Sequence, residues 1–110
     1  MMQTNHYQVD RIKWAKLSFD EQMGNIGSEV GRSLSAKRRG DEKAGEAAVI
    51  RALDLFDATT EAWLPNSSSA RLKELLRAKE QYLATYYAKK SDNGIENYFM
   101  QFAIAARLDR

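Results

Sequence analysis

The sequence predicts an all-α chain: a four-helix bundle of two antiparallel helical hairpins, with a short N-terminal segment packed across it. Three observations predict it. There is a single proline in 110 residues, so little interrupts helix. No stretch alternates apolar and polar residues with the period of two that a half-buried strand needs. Apolar residues instead recur three and four apart between recognisable helix caps.

Residues 1–17 read as a lead-in and 18–110 as the bundle domain. Residues 1 to about 7 are mostly polar and expected to fray. Tyr7 to Leu17 then carries Val9, Ile12, Trp14 and Ala15, as a short helix or an extended strap. Trp14 is expected to cap one end of the core. Ser18 with Glu21 three residues on forms a capping box, opening a helix that runs to about Arg39. Phe19, Met23, Ile26, Val30 and Leu34 share its apolar face. Gly24, Gly27, Gly31 and Ser35 lie beside them. Each glycine costs a helix about 1 kcal/mol relative to alanine. The stripe therefore predicts either a closely approaching helix or an open groove.

Lys37-Arg38-Arg39-Gly40 closes that helix, with basic residues at the negative end of its dipole. Asp41 caps the next helix, expected to reach Trp63 or Leu64. Gly45, Val49, Ala52, Leu53, Phe56, Thr60 and Trp63 share its inner face. Arg51, Asp54 and Glu61 are read as pointing to solvent or a partner. Pro65 to Ser69 is a loop. The third long helix runs to about Lys89. Its apolar face carries Leu72, Leu75, Leu76, Tyr82, Leu83 and Tyr86, with Lys79 as the anomaly. Lys79 would either snorkel or pair with Glu29 or Asp57. Asn93 with Glu96 makes a second capping box for the last helix, Ile95 to Leu108.

That last helix is apolar on both sides. Ile95, Tyr98, Phe99, Phe102 and Ala106 share one face; Met100, Ile104 and Leu108 form an opposite stripe. Such a helix must be covered on both sides. It is expected to be the most buried post of the bundle with the N-terminal segment across it, or else half of a subunit contact.

Composition excludes much chemistry. With no cysteine, thiolate catalysis, disulfides and Cys-ligated metals are absent, and one histidine, His6, leaves no metal or acid–base constellation. No cofactor is predicted and no metal ligand or catalytic residue is assigned. No apolar run approaches a membrane span, and the N-terminus lacks signal-peptide pattern. A cytoplasmic protein is expected. The formal net charge of +2 is too small to argue for nucleic acid alone.

Ligand or partner groove candidates are Asn25, Glu29 and Arg32 on the first long helix, and Arg71, Glu74 and Lys79 on the third. Arg71, Glu74 and Arg77 are also spaced as a surface ion-pair ladder. Met100, Ile104 and Leu108 are the interface candidates, predicting a homodimer or a protein partner. A second reading is nucleic-acid binding through Lys37, Arg38, Arg39, Lys89 and Lys90. Tyr82, Tyr86, Tyr87, Tyr98, Phe99 and Phe102 would then stack on bases, although core is their commoner use. A third is a small hydrolase or a catalytically weak nuclease using Glu29 with Arg32 and Arg71.

Two resemblances follow. Asn25-Ile26-Gly27-Ser28-Glu29-Val30-Gly31-Arg32, Arg51 to Asp57, Arg71 to Arg77, and Tyr98 to Ala103 resemble a group of small bacterial helical proteins with no established activity. The resemblance covers about residues 18–107. It implies a bundle in a prokaryotic cytoplasm and marks Asn25, Glu29, Arg32, Asp54, Arg71 and Arg77 as candidates for a shared site. The chain is also similar in size and class to HEPN-type ribonuclease toxins. Those carry an arginine followed four to six residues later by histidine. No histidine follows Arg71, Arg77 or Arg107, so that resemblance implies a non-catalytic version.

Overall fold

Ser18 starts the first long helix as its spacing predicts. Its hydroxyl accepts from the Glu21 N–H, and the Glu21 carboxylate accepts from the Ser18 N–H. The computed structural model describes residues 8–66, 70–88 and 94–108, and every element in them is helical. They are α1 (Arg11–Ala15), α2 (Phe19–Arg38), α3 (Glu42–Trp63), a 3-10 turn (Leu64–Asn66), α4 (Ala70–Tyr87) and α5 (Gly94–Leu108). The expected cap at Asn93 and the loop residues Ser67 to Ser69 lie outside the described residues.

Between α2 and α3 the chain reverses at Gly40, whose φ of 78° is left-handed. That conformation suits glycine. It lets the Asp41 N–H reach the Ala36 carbonyl at 2.9 Å and the Gly40 N–H reach Lys37 at 3.0 Å, a Schellman ending. Asp41 then caps α3, accepting from the Ala44 N–H. The two helices run antiparallel. Phe19 at the start of α2 meets Trp63 at the end of α3, with ring centroids 5.5 Å apart.

On its other flank α2 packs against α5, and the glycine stripe explains how closely. A Cβ on Gly27 would lie 2.7 Å from Phe99 Cβ, and one on Gly24 would lie 3.2 Å from Ala103 Cα. These two glycines therefore make a helix contact. Gly31 does not: nothing lies within 4 Å of its missing Cβ. Aromatic rings complete the core, with Phe56 of α3 stacked 6.1 Å from Tyr82 of α4 and edge-on, also at 6.1 Å, to Phe99 of α5. Tyr82 is fully buried and meets Ser33 at 2.7 Å. Ser33 already donates its one hydroxyl proton to the Val30 carbonyl, so Tyr82 is the donor of that pair.

The structure corrects the expected order of burial. α5 fully buries only Ile95 and Phe99, whereas α2 buries residues on both its α3 and α5 sides. Among the described residues the N-terminal segment does not cross α5; α1 packs on α3. Polar groups hold it there. Asp54, only 9% exposed, accepts from the Val9 N–H at 2.7 Å and from Arg11 at 2.9 Å. Asp54 is thus a buried anchor rather than the outward residue its helix position suggested. Trp14 does cap the core: it is buried and its Nε1–H donates to Thr59 at 2.9 Å. Gln22 ties the same end together, donating to the Trp14 carbonyl and accepting from Trp63 Nε1. Leu76, read as part of the inner face of α4, is exposed.

The glycines make opposite predictions. Gly27→Ala should destabilise the chain by about 1–3 kcal/mol, because Phe99 Cβ belongs to a packed helix that must shift. Gly31→Ala should stabilise it by up to about 1 kcal/mol, having helix propensity to gain and nothing to strike. Urea denaturation of the two variants checks both signs.

Candidate functional site

The candidate polar residues do not converge on one pocket. Glu29 and Arg32 are together: Arg32 donates to Glu29 at 3.0 Å. Arg51 of α3 joins them, its Nε–H donating to the other carboxylate oxygen at 3.1 Å. Asn25, one turn earlier, turns back to the Glu21 carbonyl. Arg71 is elsewhere, over the rings of Phe19 and Trp63 with its guanidinium carbon 5.3 and 5.1 Å from their centroids. Phe19 is ten residues from Glu29, or about 15 Å along α2. A hydrolase built from Glu29, Arg32 and Arg71 therefore has no common site.

The ladder read on α4 does not form either. Among the described residues Arg71, Glu74 and Arg77 make no ion pair with one another. Glu74 instead accepts from the Tyr98 hydroxyl of α5 at 2.8 Å, beside an open groove of about 660 Å³ between α4 and α5. Lys79 is half-buried and reaches Asp57 at 3.7 Å, with the Asp57 side chain 61% exposed. That is a surface pair with a buried stem.

Where Glu29 gathers its arginines, a second groove of about 550 Å³ runs between α2 and α3. Small residues line it: Ser28, Gly31, Ser35 and Ala36 from α2, Ala44 and Ala48 from α3. Arg32, Arg39 and Arg51 border it. The Glu29 side chain is only 12% exposed, so its position is set by packing and it fixes two guanidinium groups. The spacing in the sequence pairs Glu29 with Arg32 but leaves Arg51 pointing to solvent or a partner. The missed signal was Ala44, Ala48 and Arg51, spaced four and three apart on one side of α3.

The basic helix end is largely engaged. Lys37 donates to the Ala88 carbonyl and lies 4.9 Å over the Tyr86 ring. Arg38 pairs with Glu96. Arg39 donates to Ser35 and stands 4.0 Å from Asp41. Lys89 and Lys90 lie outside the described residues. Of the six aromatic base-stacking candidates, Tyr82, Tyr86 and Phe99 are buried, Tyr98 and Phe102 pack partly buried against the core, and Tyr87 is exposed.

Met100, Ile104 and Leu108 are 54%, 47% and 79% exposed. They stand on the side of α5 away from Phe99, with exposed Asn97 and Gln101 beside them. Of the charged residues described on α5, Glu96 is paired to Arg38 and Arg107 lies exposed in the last turn. The outer face of α5 is thus an apolar stripe with little charge.

No helix among the described residues is long and apolar enough to cross a membrane. No protein-family model, curated protein or solved structure matches the chain.

Burial pushes the Tyr82 hydroxyl above the ordinary tyrosine pKa. Burial raises Tyr98 too, and its bond to Glu74 adds to the effect. Above about pH 10 an unfolded chain would lose these protons while the folded chain keeps them. Stability from these groups is therefore fully present below that pH and falls as pH rises beyond it. The urea midpoint should decline on the alkaline side, and Tyr82→Phe should make the decline shallower. Phenolate absorbance from Tyr82 appearing while the chain is still folded would contradict this.

Proposed function

We propose that this chain is a non-enzymatic helical interaction protein that self-associates through the outer face of α5. The observation that carries the reading is the exposed stripe of Met100, Ile104 and Leu108. Contiguous apolar surface of this kind marks association sites. A second copy suits it for two reasons. The stripe is spaced evenly about Ile104, so an antiparallel α5 pair sets Met100 against Leu108 of the other copy, as a twofold contact requires. The face also carries few charges, so two identical surfaces meet without repulsion, and interface cores are depleted in charge.

In this reading the fold is a four-helix bundle with α2–α3 and α4–α5 as its hairpins and α1 as a lead-in. The resemblance of the Asn25–Arg32 segment to small bacterial helical proteins makes a bacterial cytoplasm the setting. Nucleic-acid binding through Lys37, Arg38 and Arg39 is the weaker reading, because all three are already bonded within the chain.

Light scattering on the eluting protein tests it. The expected mass is twice the 12.5 kDa monomer at micromolar concentration, falling to the monomer in Ile104→Glu with the helical circular dichroism kept. A monomer at every concentration overturns the proposal.

A further inference from the structure

We propose that the groove between α2 and α3 binds the phosphate of a small phosphomonoester, with Arg32 and Arg51 as its ligands. Gly31 is the first observation. Glycine weakens a helix interior, and the neighbours that account for Gly24 and Gly27 are absent here, since nothing lies within 4 Å of a Gly31 Cβ. What its bareness does provide is depth, because Gly31 lines the groove.

The second observation is the state of the arginines. Glu29 takes one N–H from Arg51, at Nε, and one from a terminal nitrogen of Arg32. The other N–H groups of Arg32 and Arg51 make no hydrogen bond among the described residues. A carboxylate 12% exposed thus holds two forks in place and leaves most of their donors unused. Pre-organised guanidinium groups are suited to oxyanions.

Charge and shape choose the class of ligand. Three guanidinium groups border the groove, against Glu29, which bonds Arg32 and Arg51, and the exposed Asp41 at 4.0 Å from Arg39. The excess is positive. A carboxylate offers two oxygens, whereas a phosphomonoester offers three acceptor oxygens and about −1.5 to −2 charge at neutral pH. The groove volume of about 550 Å³ falls in the range of small-ligand sites. It leaves room for the body of the ligand over the alanine and glycine surface.

Isothermal titration calorimetry of the full chain at low salt tests the proposal. The probes are inorganic phosphate, a nucleoside monophosphate, the same nucleoside without phosphate, and a single-stranded oligonucleotide lacking a terminal phosphate. Phosphate and the monophosphate should bind, and the bare nucleoside should not. Gly31→Met, which fills the groove, and Arg51→Gln should each weaken binding by about tenfold or more, the worth of a charge-assisted bond. Arg77→Gln, in the other groove, should leave it unchanged. Circular dichroism melting confirms that each variant is folded. The proposal fails if neither phosphate compound binds at millimolar concentration. It also fails if folded Gly31→Met binds like the parent, or if only the oligonucleotide binds.

Discussion

The close approach of α2 and α5 governs the rest of the structure. Gly24 and Gly27 remove the side chains that would hold the two helices apart, and Phe99 and Ala103 fill the space. Once Phe99 faces α2, helical geometry fixes every other residue of α5. Ile104 follows five residues later and is rotated by about 140° from Phe99, so it must face away. The exposed stripe is thus a consequence of the glycine contact.

The same contact explains why α1 lies where it does. With α5 seated on α2, the remaining unfilled end of the core lies between α2 and α3, and Trp14 closes it. Buried polar groups need partners. Trp14 finds Thr59, Gln22 bridges Trp14 and Trp63, and Asp54 takes the Val9 N–H with Arg11. No buried side-chain nitrogen or oxygen is left without a partner among the described residues. The lead-in is consequently positioned by directional bonds to Asp54 and Thr59 of α3 and Gln22 of α2.

Local chemistry was legible in the sequence. Ser18, Glu21, Gly40 and Asp41 mark the ends of α2 and α3 because caps act within a few residues. The inner faces of α2 and α3 follow from spacing for the same reason. What spacing does not carry is the number of neighbours a helix has. Two apolar faces on α5 predicted two covers, yet one face met α2 and the core while the other stayed exposed. Asp54 shows the complementary limit. Its partners Val9 and Arg11 lie more than forty residues away in sequence, and nothing near Asp54 announces them. The glycines sat between these cases. Their spacing signalled a special face on α2, but only the position of α5 separates Gly27, pressed on Phe99, from Gly31, which is bare. Of the site candidates, Glu29 and Arg32 were found as a pair on one helix. Arg51 was not, because it reaches them across the hairpin.

A chain without cysteine allows the α2–α5 contact to be tested by cross-linking. A Cβ at position 24 would lie 3.5 Å from that of Ala103, at the short end of the range a disulfide spans. Gly24→Cys combined with Ala103→Cys should therefore form an intrachain disulfide under mild oxidation. Gly24→Cys combined with Ile104→Cys should not, because Ile104 faces outward. A cross-link to position 104 as complete as that to 103, or none to 103 in a folded chain, would contradict the seating of α5 on which this account rests.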